Sequence, residues 1–289
     1  MSLVTLEKIL SDAQDGNYGV GSVNVVNFEM ITSIIKAAEK ANSPFIIQYA
    51  EGDDTRIPIE EIARFALPVI EKASVPICLH LDHGKTISAI KRAIDSGFSS
   101  VMIDASDLPY EDNVKISQEV VAMAHEKGVS VEAEIGNMVN SEYGESTAHK
   151  YETFEESFTQ PAIAEKFEKE TGADAIAISF GTIHGVYAEK PNLDFDRLKE
   201  IRKVTTKPLV VHGGSGLANE EYQTMIQLGI SKINYYSDMS YRVTKAIMND
   251  LETKEKNGQK IFLQDITGIQ LELVEKEIIE KINIFGSNH

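Results

Sequence analysis

Cysteine is nearly missing from this chain: one residue, Cys78, occurs among 289. An internal disulfide framework is thereby excluded, which suits a reducing compartment. No apolar run approaches the roughly 20 residues that a helix needs to cross a bilayer, and the first eleven residues lack a charged segment followed by an apolar signal core. We expect a cytoplasmic protein. Positive charge is also scarce, with 28 Lys and Arg against 45 Asp and Glu and a formal net charge of −17. Nucleic acid and anionic membranes both demand a basic surface, so neither is an expected partner. Any phosphate bound here must be held by local donors.

What the chain does contain is a regular alternation. Apolar, β-branched segments of strand length lie at 21–26, 44–49, 75–81, 99–103, 130–135, 173–179, 208–211 and 232–236. Helical periodicity separates them: Ile87, Ile90 and Ile94 share a face after Thr86, and Phe195, Leu198 and Ile201 do so after Asp194. Pro44, Pro76 and Pro208 and the glycines 97, 128, 172 and 229 mark where helices stop. Strict alternation implies a parallel sheet with helices outside it. Eight such pairs favour a closed (β/α)8 barrel, the TIM-barrel architecture, as one domain over residues 1–289. An extra C-terminal helix is expected over 270–284, where Leu271, Val274, Ile278 and Ile282 recur, lying on the outer ring or on a partner subunit. The span 137–157 is long, mostly polar and poor in large apolar residues, Tyr143 and Tyr151 among the few, and a loop that long in a compact fold is usually functional or mobile.

Polar residues gather where the strands end, which is where such barrels build active sites. His83, His184 and His212 follow the third, sixth and seventh strand segments, and three imidazoles converging there suit a catalytic zinc with an open coordination position. One histidine in such a place is more often a satisfied polar residue; three in matching places reverse that. Glu134 is a candidate fourth or exchanging ligand, sharing a strand face with Glu132. Asp82 precedes His83 and can move a proton on a bound substrate or orient a ligand. His80 shares its face and carries no assigned role, and Glu142, in the polar span, is a weaker acid/base candidate. Gly213-Gly214-Ser215-Gly216 precedes a helix starting near Ala218, so its N–H groups can close on an anion. Asn234, Ser237 and Asp238 follow the eighth strand, and barrels frequently hold phosphate between these last two loops.

These residues carry a resemblance. His80-Leu81-Asp82-His83-Gly84, the stretch from Gly97 to Asp104, Val131-Glu132-Ala133-Glu134, Gly181-Thr182-Ile183-His184-Gly185, His212-Gly213-Gly214-Ser215-Gly216 and Lys232-Ile233-Asn234 resemble the class II, zinc-dependent ketose-bisphosphate aldolases. The likeness runs in order to the closing Phe285-Gly286-Ser287. It implies a homodimer or homotetramer that reversibly cleaves a ketose phosphate into dihydroxyacetone phosphate and an aldehyde. It implies zinc on His83, His184 and His212 with Glu134 as alternate ligand, Asp82 as the acid/base at the C4 hydroxyl, and Glu142 at the C3 proton. It also places Gly185, Gly213, Gly214, Ser215, Asn234 and Ser237 at the donor and its phosphate, and a monovalent cation (Na+ or K+) at Gly181 and Gly213.

The departures concern the aldehyde half. Members that bind a 6-phosphate usually carry an Arg in an Asp-Pro-Arg stretch before the final helix, whereas this chain reads Ile261-Phe262-Leu263-Gln264-Asp265 and has no Arg after Arg242. Ala50 stands where a Ser is usual, and Tyr235 and Tyr236 replace smaller residues. Without that bidentate guanidinium, fructose 1,6-bisphosphate is expected to be a poor substrate unless Arg56 or Lys85 takes over the phosphate. Two other classes remain: a metal-dependent barrel enzyme such as a hydrolase, and a non-catalytic sugar-phosphate-binding protein of the same fold.

Overall fold

The β-branched segments pair as their alternation predicts. A computed structural model describes residues 2–136, 157–185, 187 and 191–288. In it, β1 (Val20–Asn24), β2 (Phe45–Ala50), β3 (Ile77–Gly84), β4 (Ser100–Ile103), β5 (Ser130–Ile135), β6 (Ala175–Ile178), β7 (Leu209–Val211) and β8 (Ile230–Asn234) run parallel, and β8 returns to β1. The product is a closed (β/α)8 barrel whose strand ends lie within three residues of the expected ones. One difference matters for the site: β3 extends to Gly84, so Asp82 and His83 lie within the strand rather than after it.

Around it stand α2 (Phe28–Ala41), α3 (Ile59–Ile70), α4 (Ile87–Asp95), α5 (Tyr110–His125), α6 (Pro161–Thr171), α7 (Phe195–Val204) and α8 (Asn219–Gln227). Thr86 and Asp194 cap α4 and α7, accepting from Ala89 N (3.1 Å) and Arg197 N (2.9 Å) and satisfying donors that the first turn leaves orphaned. The eighth strand is followed by α9 (Ser237–Lys256) and α10 (Leu263–Phe285). The C-terminal helix thus starts seven residues before the expected 270. It lies on its own chain's α2, burying Val274, Ile278 and Ile282, with Lys36 on Glu275 at 2.8 Å and Ser43 on Ser287 at 2.8 Å.

A helix that the strand count did not anticipate, α1 (Leu6–Gly16), closes the bottom of the barrel. Its Leu6, Ile9, Leu10 and Ala13 pack against Val20, Ile46, Cys78, Ala175, Ala177 and Val210. Two residues further along the same strand faces, the side chains turn polar: Ser22 after Val20, Gln48 after Ile46, His80 after Cys78. Two further again come Asn24 and Asp82. The barrel interior therefore passes from hydrocarbon at its floor to hydrogen-bonding and ionic groups at its mouth. Among the described residues, no helix is long and apolar enough to cross a membrane.

Candidate active site

Strand alternation alone would send Asp82 and His83 to opposite sides of the sheet. The structure prevents this with a bulge: β3 pairs Leu81 with Val101 but Gly84 with Ile103, so β3 carries one extra residue. His83 absorbs it with φ +46°, a left-handed conformation that strains a residue with a Cβ by about 1–3 kcal/mol. Gly84 is required beside it, since a Cβ there would lie 2.4 Å from Met102 O. Both Asp82 and His83 thereby line one cleft at the barrel mouth.

The ring of His83 meets those of His212 and His184 at centroid distances of 4.7 and 4.9 Å. Each of the three offers a nitrogen within 4.8 Å of the others. Carboxylates fix two of the rings. Asp104 holds His83 Nδ1 at 2.8 Å, and Glu132 holds His212 Nε2 at 2.7 Å. If each ring is neutral and donates to its carboxylate, His83 Nε2 and His212 Nδ1 face one another as lone pairs at 3.1 Å. A proton or a cation must lie between them. Burial opposes charge on His83, yet Asp82 and Asp104 outweigh it and push its pKa up to about 10. Burial drives His184 and His212 the other way, keeping both as neutral imidazoles.

Glu134 lies at the edge of this cluster, its Oε2 3.8 Å from His212 Nδ1. Among the described residues that oxygen is buried without a hydrogen-bond partner, and burial together with Asp104 pushes the carboxyl up to about 8. His83, Asp104 and Glu134 also converge as a second set of three. Imidazole nitrogens turned inward and an orphaned carboxylate oxygen fit a divalent metal such as zinc. Asp82 is held from three strands, by Asn24 (2.9 Å), Gln48 (3.3 Å) and Asn234 (3.3 Å). Burial would raise its pKa, but His83, His212 and Lys232 outweigh that and hold it at about 2. It is a fixed, charged carboxylate.

The glycine loop after β7 is shaped by close approach. Gly213 has φ +62°, and a Cβ on it would fall 2.2 Å from Ile183 O. A Cβ on Gly214 would fall 2.8 Å from Asn234 O, and Ser215 Oγ accepts from Tyr236 N at 2.8 Å. The loops after β7 and β8 are thus one unit. Gly185, Gly213, Ser215, Asn234 and Ser237 line the same cleft of about 200 Å³ as Asp82, His83 and His184, while Gly214 supports it from behind. Gly181, with φ +120°, packs on Asn192 and Leu193.

Several residues were not singled out by sequence. Asp104 directly follows β4, so the rule that found the histidines could have found it. Glu132, of which the sequence displays only the strand face, bridges His212 and Lys232 Nζ (2.8 Å), both wholly buried. His80 hydrogen-bonds Ser100 (2.8 Å) and lies 3.6 Å from Glu132, inside the barrel and below the cleft. Of the two cations offered as substitutes for the missing Arg, Lys85 is engaged by Asp104 at 2.9 Å, whereas Arg56 lines the cleft. Glu142 lies outside the described residues.

Comparison with known proteins agrees over the whole chain. The family profile described as fructose-bisphosphate aldolase class-II matches residues 4–289. A fructose-bisphosphate aldolase of Geobacillus stearothermophilus is 37% identical over 294 aligned residues, covering 100% of this chain and 98% of that one. The Escherichia coli K12 protein YdjI is 34% identical, covering 96% and 95%. The crystal structure of that YdjI aldolase superposes with a TM-score of 0.85 at 32% identity, over 99% of this chain and 98% of that one.

Proposed function

The chain belongs to the class-II fructose-bisphosphate aldolase family, and from that premise we propose that it is a zinc-dependent aldolase. Its reaction is the reversible cleavage of a ketose 1-phosphate into dihydroxyacetone phosphate and an aldehyde. The observation that carries this reading is the convergence of His83, His184 and His212 beside a charged, immobilised Asp82. Zinc held by these histidines, with Glu134 as an alternate ligand, would polarise the C2 carbonyl and stabilise the charge left by carbon–carbon cleavage.

The remaining steps belong to the side chains. Asp82 accepts the C4 hydroxyl proton as the C3–C4 bond breaks, and returns it during condensation. The electron pair of that bond stays on C3, which takes a proton assigned to Glu142. The backbone of Gly213, Gly214 and Gly185 with Ser215, Asn234 and Ser237 holds the donor and its phosphate, aided by the first turn of α9. Gly181 and Gly213 are assigned to a monovalent cation. The enzyme is expected to work in the cytoplasm as a homodimer or homotetramer.

Product analysis tests the reading. Dihydroxyacetone phosphate incubated with a panel of aldehydes should give carbon–carbon condensation that a chelator abolishes and zinc restores. His184→Ala or His212→Ala should abolish it as well. Full activity in metal-free protein, or release of inorganic phosphate in place of condensation, would overturn the proposal.

A further inference from the structure

The cleft is unevenly charged. Asp53 and Asp82 supply negative charge, and Arg56 is the only cation besides the histidines among the described lining residues. On the β7–β8 side the donors are neutral: backbone N–H groups, hydroxyls and an amide. In a chain of net charge −17, an anionic group at the far end of a substrate meets repulsion unless a cation faces it. The loop after β2 supplies that cation.

That loop is built as a fixed stem with a free arm. Glu51 accepts from Lys85 N (2.6 Å), Thr86 N (3.1 Å) and Thr86 Oγ1 (2.8 Å). Tyr49 OH donates to Ile57 O, and Asp54 accepts from Ile59 N (2.9 Å) and twice from Arg92 (2.7 and 3.0 Å). The backbone on both sides of Arg56 is therefore held. Its side chain is 76% exposed, and among the described residues its ion pair is with Asp53, at 3.1 Å. An exposed pair three residues apart is weak and readily exchanged for a better acceptor. Arg92 is already fully engaged by Asp54 and Glu60. Pre-organised stem, available fork and placement in the cleft are what a recognition arginine requires.

We propose that Arg56 is a specificity-determining residue that binds a negatively charged group, carboxylate or phosphate, at the end of the aldehyde half remote from the dihydroxyacetone phosphate. This rests on the aldolase reading above. Arg56 would then be the substitute for the Arg absent after Arg242, which reopens the expectation that a bisphosphate binds poorly.

Condensation rates with dihydroxyacetone phosphate and three aldehydes test it: glyceraldehyde 3-phosphate, succinic semialdehyde and neutral glyceraldehyde. Wild-type kcat/KM should favour at least one anionic aldehyde over the neutral one, and which of the two wins separates phosphate from carboxylate. Arg56→Gln should reduce kcat/KM for the favoured anionic aldehyde about 10-fold to 150-fold, the worth of a lost charge-assisted hydrogen bond. Glyceraldehyde should react as before, and Arg56→Lys should recover part of the loss. No wild-type preference, or an equal fall on all three aldehydes, would overturn the proposal; an equal fall would place Arg56 on the donor phosphate instead. Absence of condensation with every aldehyde would defeat the aldolase reading, and this inference with it.

Discussion

Asp82 and His83 are adjacent yet differ in what their neighbours do to them. Asn24, Gln48 and Asn234 fix the carboxylate of Asp82 without neutralising it, which is the state a proton acceptor needs. Asp82→Asn should retain the metal and lower kcat about 10²-fold to 10⁴-fold, the usual share of general acid–base catalysis. Unchanged turnover with metal in place would remove Asp82 from the mechanism, and a fall in metal affinity alone would make it a ligand-orienting group. One layer below, Glu132 spans His212 and Lys232 at zero exposure. Glu132→Gln leaves Lys232 as an uncompensated buried charge, so the fold should lose about 3–5 kcal/mol. It also frees the His212 tautomer, and metal affinity should fall about 10-fold to 100-fold. In the double variant Glu132→Gln/Lys232→Met, stability should recover while metal affinity stays low. Chemical denaturation and competition with a chelator read the two effects separately. Recovery of both would make Glu132 only a counter-ion.

Local signals are the ones that sequence displays, and the elements show where they stop. Thr86 and Asp194 were legible as helix starts because a cap acts within three residues. Period-two alternation placed Glu134 beside Glu132 and His80 beside Asp82. It failed at His83, because the bulge between Leu81 and Gly84 is defined only by the register of β4, a partner some twenty residues away. Similarly, α1 is a short helix whose apolar face has meaning only against the barrel floor, and the role of Lys232 depends on a carboxylate a hundred residues distant. The connection carrying Arg56 is another tertiary construction. Arg92 on α4 clamps Asp54 and Glu60 at the start of α3, and its hydrogen bonds hold both carboxyls below their ordinary values of 3.8 and 4.5, Glu60 at about 2. Groups with depressed folded pKa values stabilise the fold above their unfolded values and lose that contribution as pH falls through the folded ones. Since Arg92 and Glu60 are more than a third exposed, screening limits the effect to the order of 1 kcal/mol. Wild type should therefore exceed Arg92→Ala in thermal stability at pH 7, and the gap should shrink progressively below pH 4.5 towards about 2. A gap independent of pH would show that the clamp works by packing rather than charge.

At the scale of the whole molecule, a net charge of −17 and the exposed apolar residues of α9 and α10 pull in opposite directions. Tyr241 and Met248 on α9, with Phe262, Leu263 and Ile266 at the start of α10, are 36–80% exposed, Leu263 most of all at 80%. Isolated apolar residues on a surface mean little, but five along two consecutive helices cost solubility unless they are covered. The expected homo-oligomer gives these residues a use, with second copies of α9 and α10 as the covering surface. Like charge on both copies would oppose contact at low salt, and the Debye length falls from about 30 Å at 0.01 M to about 8 Å at 0.15 M ionic strength. Light scattering should accordingly give a dimeric or tetrameric mass at physiological salt, with dissociation favoured on dilution into low salt. Phe262→Ser/Leu263→Ser should lower the mass to that of one chain, 31.9 kDa, without altering the helical circular dichroism, because neither side chain contributes to the core. A wild-type protein that is monomeric at every salt concentration would overturn the oligomer, and an unaltered assembly in the double variant would move the interface away from the start of α10.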